Sequence, residues 1–357
     1  MLLATLVSLA AAQPVRVAIA GLAHGHVAGF LHNARGRSEI GLVALYDPDP
    51  ALLAKYAKPA GLASDMLFTD LGKMLDTVKP EAVATFTSTY DHPMVVEACA
   101  QRHIPVMMEK PLAVSVAAAR RIQQAANRTR TPVIVNYETT WYRNHAAVWK
   151  MFHPQGAAGA IRKMVAMDGH QGPKEIHVQP EFFAWLSDPV KNGAGALFDF
   201  GCYGANLMTW LMDNQRPLKV TAIAQTEKPQ IYARVDDEAS VLLEYPKAQG
   251  IIQASWDWPF NRKDLEVYGE RGYAIATTGG NDLRVRLPGD RAEQVRGAAD
   301  LPALPADAHD SISYLAAVAR GKVKPSGLSG LENNMIVVEI LEAARESART
   351  SRTIVLQ

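Results

Sequence analysis

Cysteine is scarce in this chain. Two residues, Cys99 and Cys202, serve 357 positions, fall in different predicted elements and lack metal-ligand spacing. A disulfide framework and a cysteine-based metal centre are therefore both excluded. Charge of one sign is also missing: the formal net charge is +1 and no lysine/arginine block stands out. A nucleic-acid partner is not expected on that ground. There is no internal repeat and no low-complexity linker. The apolar opening, Met1 to Ala12, is too short to cross a bilayer. What is present is ordinary globular material, with 48% hydrophobic and 20% charged residues. The length suits two domains.

The opening segment ends in Leu9-Ala10-Ala11-Ala12-Gln13, which offers a small-x-small cleavage site after an apolar core, although no basic residue precedes it. Residues 1–13 are accordingly expected to be a signal peptide and the protein to be periplasmic or secreted. The bland reading is a frayed tail or an extra strand on a cytoplasmic protein.

From Val15 onward, short apolar runs alternate with helical segments. The expected strands are Val15–Ala20, Ile40–Leu45, Glu81–Phe86, Pro105–Met108 and Pro132–Val135. Helices are expected over Val27–Ala34, Ala51–Ala57, Leu71–Val78, Met94–Arg102 and Val116–Asn127. That alternation predicts a parallel, doubly wound sheet of the Rossmann kind over residues 14–136. Beyond residue 137 strands dominate, at Ile161–Asp168, Leu218–Gln225, Ala239–Tyr245, Gly250–Trp256, Asp264–Gly269, Tyr273–Thr277 and Leu283–Leu287. Turns at Tyr245-Pro246-Lys247 and Gly269-Glu270-Arg271-Gly272 join them as hairpins. Residues 137–357 are expected to form an α/β substrate and oligomerisation domain with a large open, mostly antiparallel sheet. Asp310–Ala319 and Leu331–Ser351 read as amphipathic helices.

Three stretches carry candidate chemistry. Glu109-Lys110-Pro111 follows a buried strand, at the carboxyl end where open α/β sheets place ligands. The lysine ammonium there would stabilise a developing alkoxide, although a surface lysine at a strand end is the commoner outcome. Gly21-Leu22-Ala23-His24-Gly25-His26 makes a tight strand-to-helix turn, with glycine at the bend, small Ala23 for close backbone approach, and His26 where a third glycine is usual. Asp47, 26 residues beyond Gly21, stands where an acid accepts from a ribose 2′-hydroxyl and repels a 2′-phosphate. This favours NAD over NADP, against the plainer reading of a turn-forming Asp-Pro-Asp-Pro. His24 and His26 show no third metal ligand nearby, so no metal is expected; phosphate contact or packing is the expected role. In the third stretch, a glycine-rich approach leads to Asp199 and Tyr203, four residues apart on one helix face. A neighbouring lysine is expected to lower the tyrosine pKa and let it exchange a proton with an alcohol. A capping Asp199 with a core Tyr203 is the alternative.

Together with Thr87-Ser88-Thr89-Tyr90-Asp91-His92 and the C-terminal helix, these motifs in this order resemble the Gfo/Idh/MocA oxidoreductase family over nearly the whole chain beyond the leader. The resemblance implies a nicotinamide cofactor and oxidation or reduction of a sugar, inositol or related alcohol. It implies that Lys110 is the catalytic lysine, that Asp199 positions substrate, and that Tyr203 takes the proton-transfer place where many members have histidine, as in the glucose-fructose oxidoreductase and dihydrodiol dehydrogenase branches. Thr87, Ser88 and His92 match the cofactor-contacting loop; Gly21, Ala23, His24, Gly25, His26, Asp47, Glu109 and Lys110 complete the expected cofactor contacts. Ala23 and His26 depart from the family's glycine pattern, and residues 136–140 lack an arginine often found there. The expected partners are a small carbohydrate and further copies of the chain through the C-terminal sheet. Export would call for a tightly held NAD, regenerated within each cycle. Two chemistries fit that: coupled oxidation and reduction of two sugars, or an NAD-dependent glycosidase working by transient oxidation, elimination and re-reduction. A sugar-binding homologue without chemistry is the non-enzyme alternative, supported by the altered glycine turn.

Overall fold

A computed structural model of the chain describes residues 13–277 and 282–356. Of the leader expected over residues 1–13, all but Gln13 lies outside them.

The first unit comprises β1 (Val15–Ala20), α1 (His26–Ala34), β2 (Ile40–Tyr46), α2 (Pro50–Ala60), β3 (Leu67–Phe68), α3 (Leu71–Val78), β4 (Ala82–Thr85), α4 (His92–Ala100), β5 (Val106–Glu109), α5 (Val116–Thr129) and β6 (Val133–Asn136). The strands form a parallel six-stranded sheet in the order β3-β2-β1-β4-β5-β6. That is the doubly wound order whose crevice lies at the carboxyl ends of the strands. Both faces are covered, so the strands are apolar throughout: Ala18 and Ala20 face one buried cluster, and Val15, Val17 and Ile19 the other. Helix starts follow local chemistry. Asp49, Asp70 and Ser115 accept from the backbone amides of Ala51, Lys73 and Ala118, capping α2, α3 and α5.

The remainder comprises α6 (Arg143–Phe152), β7 (Ile161–Gly169), α7 (Pro180–Leu186), α8 (Pro189–Asn192), α9 (Ala196–Asp199), α10 (Gly201–Leu211), β8 (Lys219–Gln225), β9 (Glu238–Glu244), β10 (Gln249–Ser255), β11 (Arg262–Gly269), β12 (Tyr273–Thr277), β13 (Asp282–Arg286), β14 (Gln294–Arg296), α11 (Ser311–Ala319), α12 (Leu331–Thr350) and β15 (Ile354–Val355). Nine strands form one sheet in the order β14-β13-β12-β11-β7-β10-β9-β8-β15. Every neighbouring pair is antiparallel except β7 with β10. The two expected hairpins join β9 to β10 and β11 to β12. Helices α10 and α12 bury Leu207, Met208, Ile336 and Ile340 in the same cluster as the inward Val220, Val241 and Ile252 of the sheet.

Helix α11 packs elsewhere. Ile312 and Leu315 join Val17 and Ile19 in the cluster on the first sheet. The chain thus returns to the first unit after building the second, and Arg37 holds the junction by pairing with Asp310 at 2.7 Å.

Candidate active site

Lys110 follows β5 directly and points across to the second unit. Its Nζ donates to the main-chain oxygen of Asp199 at 2.9 Å and also pairs with the Asp199 carboxylate. Both side chains are buried. Burial alone would favour their neutral forms, but each charge outweighs it for the other: Lys110 is held above its ordinary value and Asp199 below. Both are therefore ionised near neutrality. The other carboxylate oxygen of Asp199 accepts from Trp256 Nε1 at 2.9 Å. Asp199 ends α9, and Tyr203 lies in the first turn of α10 after a break at Phe200. Asp199 is not a helix cap; the amides at the start of α9 are taken by Asp236, which accepts from Gly195 and Leu197 at 2.8 and 2.6 Å.

Tyr203 is 2% exposed, with Lys110 Nζ 5.0 Å and Lys263 Nζ 4.9 Å from its ring centre. The expectation that a lysine would lower its pKa is overturned. Burial, with the charges of Glu138, Cys202, Asp199 and Glu109 behind it, pushes the phenol well above its ordinary value. Lys110 does not reverse this because its charge is matched by Asp199. Tyr203 is accordingly a neutral phenol, suited to donate a proton rather than to accept one.

The cofactor turn is built as the sequence suggests at its first residues. Gly21 has φ +85°, and a Cβ there would lie 2.3 Å from Thr87 Cγ2, so the close approach of β1 and β4 requires glycine. Asp47 is 4% exposed and accepts from the Leu22 amide at 2.7 Å and the Asp49 amide at 2.9 Å. It thus shapes the turn, and Asp47 also lines a cavity of about 360 Å³ with Ala23, Thr87, Ser88, Asp91, Trp185 and Lys191. A ribose with its hydroxyls fits that chemistry. The backbone cradle at Gly21 and the carboxylate at Asp47 together suit the adenosine half of a dinucleotide.

The later turn residues sit differently. His24 is buried, with its ring 4.5 Å from that of Phe182 and 5.4 Å from that of Trp185. Burial first, then the neighbouring His26, Lys110 and His92, drive its pKa well down. It packs as a neutral ring, and its Nδ1 accepts the His26 amide at 3.1 Å. A Cβ on Gly25 would lie 2.6 Å from Phe182, so glycine here admits α7 over the turn. Trp185 Nε1 donates to Ala23 O at 3.2 Å, and Glu181 pairs with Lys55 of α2 at 2.5 Å. His26 Nδ1 contacts Glu109 Oε2 at 2.9 Å. Glu109 Oε1 accepts from Asn136, which in turn accepts from Trp141 Nε1 at 3.0 Å. The donor atoms of His24, His26 and Glu109 all lie within 4.8 Å of one another. The tertiary fold thus supplies the third potential ligand that the sequence does not place near the histidines, already engaged in hydrogen bonds.

His92 is fully buried. Its Nδ1 contacts Leu112 O at 3.2 Å, and burial lowers its pKa to about 4. It braces the backbone just beyond Lys110. Ser88 donates to Asp91 at 2.6 Å, and Thr87 donates to Ser88 O at 3.1 Å.

Several site residues were not anticipated. Lys263 pairs with Glu138, which also takes the Tyr142 hydroxyl. His170 lies edge-on to Phe200 at 4.8 Å, and burial lowers its pKa to about 4. Asp168 is buried among them. A signal existed for two: Met164, Ala166 and Asp168 alternate along one predicted strand, and Lys263 leads into the alternation of Leu265 and Val267. A charged residue in the inward phase marks a site. Strand β10 ends at Ser255, one residue short of the expected Trp256; Trp256 is buried and holds Asp199.

Comparison with known proteins agrees with this geometry. Residues 15–137 match the oxidoreductase family with the NAD-binding Rossmann fold, and residues 148–275 match the GFO/IDH/MocA C-terminal domain. The scyllo-inositol 2-dehydrogenase (NADP+) of Bacillus subtilis is 21% identical over 75% of this chain and 76% of its own length. The trans-1,2-dihydrobenzene-1,2-diol dehydrogenase of Xenopus laevis is 27% identical over 46% of each chain, so the match spans just under half of that relative. Among solved structures, an inositol dehydrogenase homologue from Azotobacter vinelandii in complex with NAD+ superposes with TM-score 0.82 and 20% identity, covering 97% of this chain and 98% of that one. The aldose-aldose oxidoreductase of Caulobacter crescentus, complexed with glycerol, gives 0.80 and 21%, covering 96% and 100%. At these identities the solved structures speak for the fold.

Proposed function

The chain belongs to the Gfo/Idh/MocA oxidoreductase family, and on that premise we propose that it interconverts a carbinol and a carbonyl on a carbohydrate or polyol, with NAD as the preferred cofactor. The observation that carries this reading is the buried Lys110–Asp199 pair beneath Tyr203, formed across the two units at the carboxyl edge of the first sheet. The nicotinamide, when bound, gives or takes the hydride. Lys110 stabilises the substrate oxygen as negative charge develops on it. Asp199 fixes the ammonium and orients a neighbouring hydroxyl. Tyr203, a neutral phenol, donates the proton that the oxygen receives in the reducing direction. Asp47 at the ribose end supports NAD over NADP through charge. Catalysis by Lys110 is tested by Lys110→Ala, assayed for hydride transfer over a panel of polyols and aldoses with NAD and NADP. Turnover retained at the parent level sinks the assignment.

Helix α7 supports a second reading. Phe182 and Trp185 cover the turn that would hold the pyrophosphate, and a covered cofactor suits a cycle that oxidises and re-reduces it within one turnover. Coupled oxidation and reduction of two sugars, or glycosidic cleavage by oxidation, elimination and re-reduction, both have that form. Cofactor that co-purifies and turns over without replenishment supports such a cycle; release of free sugar from an aryl glycoside separates the two. Assembly through the second sheet is a further part of the proposal, supported by Ile223, Leu242 and Val355 exposed on its strands. Export rests on the sequence of the leader alone. Among the described residues no helix is long and apolar enough to cross a membrane.

A further inference from the structure

Asp168 is an acid of the site to which neither the mechanism nor the fold gives a role. It lies on the inward face of β7 beside its carboxyl end, 1% exposed, and its Oδ2 is buried without a hydrogen-bond partner among the described residues. Its paired residues across the sheet are Lys263 on β11 and Ala254 on β10. Ala254 offers no polar side chain. Lys263 is engaged by Glu138 and lies over the Tyr203 ring. An orphaned buried polar atom beside Lys263 and the Tyr203 ring calls for an explanation, and an oxygen of a ligand would supply the missing partner.

The charged groups facing Asp168 come from every side: Lys263 and Asp264 from β11, Glu138 from the turn after β6, and Lys110 from the end of β5. Cys202 on α10 also lies within its electrostatic reach. Burial is the strongest influence and raises the Asp168 carboxyl well above the usual carboxylate range. The two lysines pull the other way, and Asp264 and Glu138 reinforce the rise.

We propose that Asp168 is a neutral carboxylic acid that donates a hydrogen bond to an oxygen of the substrate, separate from the Lys110, Asp199 and Tyr203 group. This rests on the reading that the cleft takes a hydroxylated substrate. A neutral acid there discriminates in favour of ligands carrying an acceptor oxygen at that point, because without one the acid stays unpaired.

The test uses the full chain loaded with NADH, the variants Asp168→Asn and Asp168→Leu, and glycerol as probe. Infrared spectra of the parent near neutrality should show a protonated-carboxyl band that Asp168→Asn abolishes and that glycerol shifts. The sign of the stability change follows from the raised folded-state pKa. Stability is lost as pH rises from the unfolded value of about 3.9 through the folded one. The melting temperature of Asp168→Asn, relative to the parent, should therefore climb as pH rises above about 4. Asp168→Leu should fold but lose the glycerol response in binding. A missing band, or an Asn variant that loses relative stability with rising pH, makes Asp168 an ionised partner of Lys263 and overturns the proposal. A band that glycerol leaves unmoved overturns the donor role. Failure of hydride transfer with every alcohol would count against the oxidoreductase reading while leaving these spectroscopic outcomes decisive for Asp168.

Discussion

Two lysine–carboxylate pairs flank Tyr203, at nearly equal distances from its ring, and they differ in almost every other respect. Lys110 and Asp199 are 6% and 8% exposed at the side chain, come from opposite units and have a third partner in Trp256. Lys263 and Glu138 are 20% and 50% exposed. Breaking a buried pair leaves an uncompensated charge, whereas a solvent-screened pair contributes little. The first pair is therefore both joint and reagent, and the second adjusts the mouth of the same cleft. Neither lowers the tyrosine pKa, since each ammonium has its own carboxylate.

The largest way to break this contrast is Lys110→Ala. It should reduce turnover at least ~100-fold and destabilise the fold by about 3–5 kcal/mol through the stranded Asp199, read by steady-state kinetics and denaturant melts. Adding Asp199→Ala should recover part of that stability and none of the turnover. If the single variant melts like the parent, the pair is not the joint.

Next in size is Asp47→Ala, which removes the acceptor for two turn amides and the charge that disfavours a 2′-phosphate. NAD affinity should fall about tenfold or more, corresponding to ~1.4 kcal/mol, with the NAD/NADP ratio moving toward NADP in titration calorimetry. An unchanged ratio would show that Asp47 only shapes the turn.

A third test concerns the α11 junction. Burial alone would raise the Asp310 pKa, but hydrogen bonds from Arg37 and Ser313 outweigh it and hold the group at about 2. A depressed folded-state pKa gives stability that is complete above the unfolded value of about 3.9 and lost as pH falls through about 2. Asp310→Ala, which also removes a helix cap, should cost about 1 kcal/mol near neutrality and flatten the acid limb of the melting profile. An unaltered acid limb refutes that linkage.

The smallest effect belongs to the more exposed pair. Lys263→Met should change stability by less than about 1 kcal/mol while altering KM more than Lys263→Arg does. A collapse of stability as large as that of Lys110→Ala would erase the distinction between the two pairs.

Much of the first sheet was legible because its strands are buried on both faces and three of its helices, α2, α3 and α5, begin at Asp or Ser caps. The expected Glu81–Phe86 strand narrows to Ala82–Thr85, and the helix expected from Met94 begins at His92, shifts confined to element ends. The short α7 and α8 were not legible, since a turn or two of helix carries too little periodicity. Lys110, Asp199 and Tyr203 were found through motif order. Lys263 and Asp168 were overlooked because inward charges on strands are visible only once the strand phase is trusted.

The sequence by itself determined the class of most of the longer elements, the ligand-facing end of the first sheet, and the residue types available for chemistry, because periodicity, caps and turns are local. Only the tertiary structure decided how those residues are charged and what they face. It set Asp199 against Lys110, Glu109 against His26, α7 over Gly25 and Asp168 beside Lys263 with its Oδ2 unpartnered among the described residues. Burial and partner charge depend on segments far apart in the chain, and no local pattern encodes them. For Tyr203 that distinction reversed the expected direction of its pKa, from lowered by a lysine to raised by the interior that surrounds it.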